Sequence, residues 1–489
     1  MGDKPLNILF ATTEATPYIK TGGLADVSGS LPPVMRSLGN DGRLILPAYP
    51  EAVNKLGEVT EAAVLRIPGY DGTVRLLEGK GSEGMPVYLV EYPDAFAREG
   101  NPYVNEHGSD WEDNHWRFTL FSQVVVAISL NPSMLDWKVD VVHCNDWQTG
   151  MIPALLHDEE DRPATVFTIH NLSYFGSCDR QTYDDLGLPA DLWHMNGLEF
   201  HGNGSFLKAG IAYADEITTV SPTYAKEIRT SEFGYGLEGM LEYRSDRLTG
   251  IINGIDYKVW DPLMDLNLRY LFNATRLNNR VGNKNALQKR FGLPERDDVM
   301  MFGYIGRLVD QKGVDLILSI LPRLQIVGDV QIVFLGSGAS LLEHALRGAE
   351  KHYADMVGCH IGYDESLAHL IEGGTDAFLM PSRYEPCGLN QLYSLRYGSV
   401  PIVHATGGLA DTVVDYTFET RENDTATGFS FTDADPEGLW QTIERAIICY
   451  HRTPKVWREL MKRGMNSDFS WNNSAGQYLE LYQRAIDRT

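Results

Sequence analysis

The chain has 489 residues, of which 43% are hydrophobic and 22% charged, as is typical of a soluble globular protein with two or three domains. Its formal net charge of −24 disfavours nucleic acid as a main partner, although a small phosphate ligand needs only local positive charge. No apolar run approaches the roughly 18 residues that span a bilayer, so we expect no membrane segment.

Targeting and redox features indicate a reducing cytoplasm. Residues 1–5 lead directly into an apolar stretch, so we expect no signal or transit peptide in this sequence, and a plastid location would require one to have been removed. The five cysteines are scattered and lack the spacing of a metal or redox motif, which predicts no structural zinc. They are Cys144, Cys178, Cys359, Cys387 and Cys449.

In the first half of the chain, short apolar runs alternate with stretches long enough for crossover helices. The predicted strands are Leu6–Ala11, Arg43–Leu46, Val87–Val90, Val139–His143, Ala164–Ile169 and Glu216–Val220. Repetition of this kind predicts an α/β fold with a doubly wound parallel sheet covered on both faces.

The pattern restarts after a polar, Arg- and Asn-rich stretch at 265–298, so we place a hinge near 249–262 and a second doubly wound domain behind it. The predicted elements of this domain are strands Met300–Ile305, Gln331–Leu335, Cys359–Ile361, Ala377–Met380 and Pro401–Val403 and a helix over Gly313–Leu324. Residues Trp471–Ile486 are predicted to form a terminal helix.

One hexapeptide, Thr-Gly-Gly-Leu-Ala-Asp, occurs at 21–26 and again at 406–411. Each copy follows a strand-like run and opens a helix-like one, where glycines let a ligand approach the backbone and free N–H groups attract anions. With Lys20 beside it, the first copy suits a phosphate or a glycosyl unit, although a structural turn is an equal alternative. Ligands of open α/β sheets bind outside the carboxyl ends of the strands, which favours a site at both copies.

Two further segments in the second half combine charge with a strand end. Arg307 and Lys312 could hold a pyrophosphate and stabilise departing charge, the alternative being a solvated helix start. Glu385 could bind sugar hydroxyls while the amides of Gly388 and Leu389 meet an anion, the alternative being a carboxylate that only interacts with a helix dipole.

In the first half, the segments 143–147 and 168–171 bring polar and aromatic side chains to successive strand ends, as a sugar site requires. A lone histidine such as His170 is more often structural, but two clusters favour a site. Asp146 and Glu385 are also conceivable as the paired carboxylates of a glycosidase.

Taken in order, these motifs closely resemble the bacterial glycogen synthase and plant starch synthase family. The resemblance covers nearly the whole chain and is most specific at Lys-Thr-Gly-Gly-Leu-Ala-Asp (20–26) and Glu-Pro-Cys-Gly-Leu (385–389). Other matching stretches are Glu14, His143–Gly150, Val166–Asn171, Gly197–Phe200, Ser205–Gly210, Val220–Tyr224, Asn253-Gly254, Arg307–Asp315, Gly362-Tyr363, Thr406–Val413 and Phe469–Trp471.

The resemblance implies two Rossmann-like doubly wound domains facing across a cleft, the GT-B arrangement. Residues 1–250, completed by the helix at 471–489, would form the acceptor side, and residues 251–470 the donor side. The implied reaction transfers glucose from ADP-glucose to the non-reducing end of an α-1,4-glucan with retention of configuration. The resemblance also implies that the enzyme needs no metal and no other cofactor. Its partners would be ADP-glucose and the α-1,4-glucan, and it would bind neither nucleic acid nor a membrane.

The resemblance also implies roles for particular residues. Arg307 and Lys312 would neutralise the departing diphosphate, Asp146 and His170 would bind the transferred glucose, and Glu385 would hold its hydroxyls; no nucleophile is assigned. The implied substrate-binding residues are Lys20, Gly22, Gly23, Asp26, Asn253, Tyr363 (against the base), Cys387, Gly388, Leu389, Thr406, Gly407 and Gly408, the last three supporting the distal phosphate.

Three alternatives remain open at this point. The donor could be UDP-glucose, because the cationic pair serves any nucleoside diphosphate. A phosphorylase or epimerase could use the same scaffold, although nothing marks a lysine for pyridoxal phosphate. A non-catalytic glucan-binding scaffold is the third, and it is disfavoured because Arg307, Lys312, His170 and Glu385 are all present.

Overall fold

The computed structural model describes residues 4–98, 100–105 and 108–489, so the first three positions of the N-terminal lead lie outside the described residues. The chain forms two compact units. The first comprises the residues up to Gly254 together with Trp471–Thr489, and the second comprises Ile255–Ser470. In the part of the chain described, no helix is long and apolar enough to cross a membrane.

Twelve strands are described in the first unit, and nine of them form its main sheet. They are β1 (Asn7–Ala11), β2 (Asp41–Pro47), β3 (Val59–Leu65), β4 (Val74–Lys80), β5 (Pro86–Glu91), β6 (Val141–Asn145), β7 (Ala164–Ile169), β8 (Ser177–Cys178), β9 (Glu199–Phe200), β10 (Asn203–Ser205), β11 (Glu216–Thr219) and β12 (Leu248–Gly250). The main sheet has the order β12-β11-β7-β6-β1-β2-β5-β4-β3, and β8, β10 and β9 form a small separate sheet.

The main sheet is parallel from β12 to β5, as predicted, but its other edge is antiparallel. Strands β3 and β4 pair antiparallel with each other, and β4 pairs antiparallel with β5. The predicted parallel sheet therefore carries an antiparallel edge, which was not predicted. Strand β3 lies at the edge with several exposed residues, so its sequence lacks the continuous apolar run of a strand buried on both faces.

Helices pack against the main sheet. In the described part of the first unit they are α1 (Gly23–Ser37), α2 (Pro50–Leu56), α3 (Pro93–Phe96), α4 (Asn114–Leu130), α5 (Met151–Leu156), α6 (Arg180–Asp185), α7 (Phe206–Tyr213), α8 (Pro222–Glu227) and α9 (Glu238–Tyr243). Strands β1, β6 and β7 are buried along nearly their whole length, which fits their position at the centre of the sheet.

The second unit has a six-stranded sheet that is parallel throughout. Its strands are β13 (Met300–Ile305), β14 (Val330–Gly336), β15 (Val357–Ile361), β16 (Ala377–Met380), β17 (Val400–His404) and β18 (Phe429–Phe431). They lie in the order β15-β14-β13-β16-β17-β18. The five strands predicted here are confirmed, and the short β18 is additional.

The second unit has nine α-helices among its described residues. They are α10 (Arg280–Arg290), α11 (Val314–Val327), α12 (Ser340–His352), α13 (Glu365–Gly374), α14 (Asn390–Tyr397), α15 (Gly407–Thr412), α16 (Phe418–Glu422), α17 (Pro436–Arg452) and α18 (Pro454–Asn466). Helix α17, for example, has Pro436 in its first turn, and the Asp435 side chain accepts a hydrogen bond from the Gly438 amide.

The polar stretch at 265–298 folds as part of the second unit. Helix α10 lies within it, and the Lys284 ammonium group is 2.7 Å from the Asp376 carboxylate, immediately before β16. Both side chains are largely buried. Lys284 of this polar stretch is therefore paired with a residue next to the sheet of the unit. Composition alone does not distinguish such a segment from a solvated connection.

The terminal helix, α19 (Trp471–Asp487), packs in the first unit although the second unit precedes it in the chain. The Tyr482 hydroxyl is 2.9 Å from Nδ1 of the buried His143 in β6. The Arg488 guanidinium is 2.6 Å from the Glu216 carboxylate, whose side chain is fully buried in β11. The helix thus completes the core beside β6, β7 and β11, and Arg488, which follows its last residue, supplies the counter-charge for a buried acid.

Candidate active site

The predicted site residues of the first unit follow the carboxyl ends of neighbouring parallel strands. Lys20 comes after β1, Asp146 after β6 and His170 after β7. These three strands are adjacent in the sheet, and the carboxyl ends of parallel strands meet at one edge. The chain therefore gathers these side chains at the edge where ligands of open α/β sheets bind.

Asp146 is held in an unusual backbone conformation at this edge. Its φ is 57° and ψ 179°, a region that residues other than glycine rarely adopt and that is concentrated at functional sites. Its Oδ1 accepts hydrogen bonds from the backbone N–H groups of His170 (2.8 Å) and Asn171 (3.4 Å). Burial raises the pKa of Asp146 to about 7, with a further increase from the charge of Glu14, although the two amides oppose the shift.

The side chain of His170 is fixed by Asn145. The His170 Nε2 lies 2.9 Å from Oδ1 of Asn145, and the Asn145 Nδ2 donates to the carbonyl of Ala11 at 3.1 Å. Because an amide oxygen only accepts, Nε2 carries the proton, and Nδ1 is left as an acceptor. Burial lowers the pKa of His170 to about 3, so the ring is neutral at physiological pH and can receive a hydrogen bond from a sugar hydroxyl.

Glu14 holds the glycine-rich loop after β1. Its buried carboxylate accepts hydrogen bonds from the amide and hydroxyl of Thr21, from the Gly22 amide at 3.1 Å and from the Tyr103 hydroxyl at 2.7 Å. Lys20 is paired with Asp26 at 2.9 Å. The amides of Thr21 and Gly22 are therefore already engaged, and Glu14 fixes the loop that presents Lys20 and Gly23.

Two features of this unit leave room and bonding capacity for a ligand. A Cβ atom at Gly22 would meet nothing within 4 Å, and its φ of −158° is ordinary extended backbone, so the fold of the unit does not require glycine there. The side-chain oxygen of the buried Asn253 has no hydrogen-bond partner among the described residues. This oxygen can still accept a hydrogen bond.

In the second unit, Lys312 and Glu385 form an ion pair. The Lys312 ammonium group lies 2.5 Å from Oε2 of Glu385, which also accepts a hydrogen bond from the Ser382 hydroxyl at 3.0 Å. Arg307, which follows β13, is exposed, and its guanidinium has no ion pair or hydrogen bond within the described residues. At these strand ends, the charge of Lys312 is therefore neutralised by Glu385, whereas the charge of Arg307 is not neutralised by any described residue.

The loops that carry these residues are locked to each other. Arg383 pairs through both outer guanidinium nitrogens with Asp315, at 2.9 and 2.7 Å. The Arg383 amide also donates to the carbonyl of Gln311 at 2.8 Å. Gly313 has a left-handed φ of 65°, and a Cβ there would lie 2.1 Å from the carbonyl oxygen of Pro381. These contacts fix Lys312 relative to Glu385.

The turn after Glu385 presents backbone donors at the start of α14. Gly388 has a φ of 71°, and its amide and that of Leu389 donate no hydrogen bond within the described residues. Cys387 is buried in the same turn. Two free amides at a helix N-terminus next to Arg307 and Lys312 form a site for an anion such as a diphosphate.

The second glycine copy supports this turn from behind. The Gly408 amide donates to the carbonyls of Glu385 and Pro386, at 3.2 and 3.1 Å, and a Cβ at Gly407 would lie 2.1 Å from the Glu385 carbonyl oxygen. Thr406 precedes them as the N-cap of α15. The Gly408 amide is therefore engaged with the turn, and glycine is required here by close backbone packing.

Tyr363, predicted to lie against the base, follows β15. Its side chain is 76% exposed, and its hydroxyl donates to the Glu365 carboxylate. An exposed ring at a strand end can stack on a planar base. Within the residues described, no group of three His, Cys, Asp or Glu side chains could hold a metal ion.

Three supporting residues escaped assignment from the sequence. Asn145 sets the ring of His170, Glu14 holds the glycine loop, and Arg383 joins the loops that bear Lys312 and Glu385. Glu14 and Asn145 lie inside the motifs, but which backbone groups they bond follows only from tertiary structure. His143, in one of the polar clusters, is a core residue bonded to Thr168 and Tyr482.

Comparisons with known proteins identify the family of this chain. Residues 7–243 match the starch synthase catalytic domain, and residues 285–462 match the glycosyl transferases group 1. Glycogen synthase 2 of Nitrosococcus oceani is 50% identical over 482 residues, covering 98% of each chain. The glycogen synthase of Thioalkalivibrio sulfidiphilus is 50% identical over 484 residues, covering 98% of this chain and 100% of the relative. The chain belongs to the glycogen synthase and starch synthase family.

Solved structures of this family and beyond share the fold. The catalytic domain of starch synthase IV from Arabidopsis thaliana, bound to ADP and acarbose, matches with a TM-score of 0.88 and 33% identity over 99% of this chain and 100% of that one. A sucrose-phosphate synthase from Thermosynechococcus elongatus matches at a TM-score of 0.61 and 16% identity, which shows the fold alone. This member of the family is a glycosyltransferase with the GT-B fold, as the sequence predicted.

Proposed function

We propose that the protein transfers glucose from ADP-glucose to the non-reducing end of an α-1,4-glucan with retention of configuration and without a metal ion. The observation that carries the proposal is the anion site at the strand ends of the second unit. There, the guanidinium of Arg307 and the amides of Gly388 and Leu389, which bond to none of the described residues, accompany the Lys312–Glu385 pair. A carboxylate next to donors for a diphosphate is what a nucleotide sugar requires.

The names of the relatives support the acceptor and the donor. The relatives cited above are called glycogen synthases, and the starch synthase IV structure is bound to ADP and acarbose. ADP is the product that ADP-glucose leaves after transfer. By similarity, we assign ADP-glucose as donor and an α-glucan as acceptor.

In the proposed reaction, the bond between C1 of the glucose and the diphosphate oxygen breaks, and C1 forms a bond to a hydroxyl oxygen at the non-reducing end of the glucan. The proton of that hydroxyl passes to the departing diphosphate, on which negative charge develops. Arg307, Lys312 and the two free amides would stabilise that charge, in the role that a metal ion has in other transferases. Glu385 would accept hydrogen bonds from the sugar hydroxyls. From the first unit, the neutral His170 and the carboxyl of Asp146 would bind the transferred glucose, and Lys20 with Gly22 and Gly23 would approach the donor phosphates.

The proposal is tested by measuring glucose incorporation into glycogen from ADP-glucose and from UDP-glucose at equal concentrations, each with EDTA in place of added metal. We expect strong transfer from ADP-glucose with EDTA present. Preference for UDP-glucose would overturn the donor assignment but keep the reaction. Transfer that requires added metal would overturn the metal-free mechanism, and no transfer from either donor would overturn the function.

A further inference from the structure

A basic cavity lies in the second unit outside the residues assigned to the reaction. Its volume is about 680 Å³, within the range of small-molecule sites. Five cationic side chains line it, namely Arg421, Lys455, Arg458, Lys462 and Arg463. Such a concentration of positive charge stands out in a chain whose formal net charge is −24.

Only part of this charge is compensated within the protein. Arg463 pairs with Asp424 and Lys462 with Glu459, both at 2.9 Å. The other three cations, Arg421, Lys455 and Arg458, have no ion pair within the described residues. With five cations and two acids, the lining carries a net charge of +3. A ligand with two or more negative charges would complete it.

The rest of the lining points to a small organic anion. Ala274, Leu277 and Val456 supply apolar surface beside the charges. No aromatic ring is among the described residues that line the cavity, and aromatic faces are what an uncharged glucan would stack on. The combination suits a ligand with a compact carbon skeleton and a phosphate group.

The position of the cavity separates it from the candidate active site. The Arg463 guanidinium donates to the carbonyl of Ala426 at 2.8 Å, and Ala426 comes just before β18. The cavity therefore lies towards the amino ends of the parallel strands. Arg307 and Glu385 follow the carboxyl ends of β13 and β16, at the opposite edge of the same sheet.

We propose that this cavity is a second ligand site, which binds a phosphate ester of the size of a sugar phosphate. The three uncompensated cations bind the phosphate, and the apolar wall contacts the carbon skeleton. The site is independent of the proposed transfer reaction, because none of its lining residues is assigned to that reaction.

The test uses the full-length protein with glucose 6-phosphate as the probe and glucose as the uncharged control. Hydrogen–deuterium exchange is measured with and without each compound, and affinity by calorimetry. The cavity variant is Arg421→Ala with Lys455→Ala. The matched control is Arg347→Ala with Lys351→Ala, which removes the same charge from the exposed face of α12 in the same unit.

We expect glucose 6-phosphate, and not glucose, to slow exchange in residues 421–427 and 455–463, and the cavity variant to bind it at least about tenfold more weakly than the control variant. Because the pairing is ionic, added salt should also weaken binding. A maltodextrin phosphorylated at C6 distinguishes an ester on the glucan from a free ester, and binding of either supports the site.

Three results would overturn the proposal: no protection of these two segments by either phosphate ester, equal protection by glucose, or equal loss of affinity in the two variants. Protection limited to the segments around Arg307 and Glu385 would mean that the ester binds only at the candidate active site. Circular dichroism and the unfolding temperature establish that each variant is folded. None of these readouts requires glucosyl transfer, so failure here is distinguishable from failure of the proposed function.

Discussion

Lys312 and Glu385 are joined by an ion pair of 2.5 Å, whereas Arg307 at the same strand ends is exposed and has no ion pair with any described residue. The Glu385 side chain is only 7% exposed, so Lys312 supplies the counter-charge of a buried carboxylate. The two cations that sequence motifs treat as a pair therefore have different energetic roles before any substrate binds.

This difference predicts separate effects on activity and stability. We expect Arg307→Ala and Lys312→Ala each to lower kcat by about 10²–10³-fold, as loss of one preorganised donor does. Only Lys312→Ala should also lower the unfolding temperature, because it leaves Glu385 buried without its counter-charge. Steady-state kinetics and calorimetry on both variants check this, and near-normal kcat in both would refute the assigned roles.

The pKa of Asp146 predicts a pH-dependent stability difference. Burial raises it from the ordinary 3.8 to about 7, so the folded state binds this proton more tightly than the unfolded state, and the stability it contributes declines as pH rises between these values. Asp146→Asn removes that decline. The variant's unfolding temperature relative to wild type should therefore rise by about 2–5 °C between pH 5 and pH 8. A constant difference would mean that Asp146 is ionised throughout.

The hydrogen bond between His170 and Asn145 leads to a prediction about the protonation of His170. Asn145→Asp would place a carboxylate against Nε2, which should raise the pKa of the imidazole by about 1–3 units from its value of about 3. The profile of kcat/KM should then fall towards low pH between about pH 4 and 6, where wild type has no ionisation of His170. Profiles that coincide after scaling would show that Asn145 does not act through His170.

Substitution by alanine should have different effects at two glycines of the first unit, on substrate binding at Gly22 and on stability at Gly29. Gly22→Ala should leave the unfolding temperature unchanged, because its Cβ meets open space, but should raise the KM for substrate if a ligand occupies that space. Gly29→Ala should destabilise the unit by about 1–3 kcal/mol, because its Cβ would lie 2.2 Å from Oγ1 of Thr16. Thermal unfolding and kinetics on both variants separate the effects, and an unchanged KM for Gly22→Ala would argue against a ligand there.

Elements with a strong local signal could be predicted from the sequence, and those defined by tertiary contact could not. Strand β13 is a continuous apolar run, and its prediction was confirmed to the residue. The edge strand β3 was missed because its residues are partly exposed and polar. Predicted β6 ended at His143, but the strand continues to Asn145, because Asn145 pairs with Thr168 of β7, a tertiary contact that local sequence does not encode.

The site followed the same rule. Motif spacing located Arg307, Lys312 and Glu385 at strand ends, because strand and turn signals are local. It did not reveal that Lys312 is paired with Glu385, since 73 positions separate them. Nor did it reveal that the Gly22 amide donates to the Glu14 carboxylate or that the Gly408 amide donates to the carbonyls of Glu385 and Pro386. Both hydrogen bonds depend on loops that the sheet brings together.

The place of α19 in the first unit sets an order for folding during synthesis. The second unit is one continuous segment, so it can fold as soon as residues 255–470 have left the ribosome. Until residues 471–488 emerge, His143 lacks its Tyr482 partner, and Glu216 is without Arg488. The unit whose synthesis begins first is therefore completed second, and throughout that interval the surface beside β6, β7 and β11 that α19 will cover is open to chaperones.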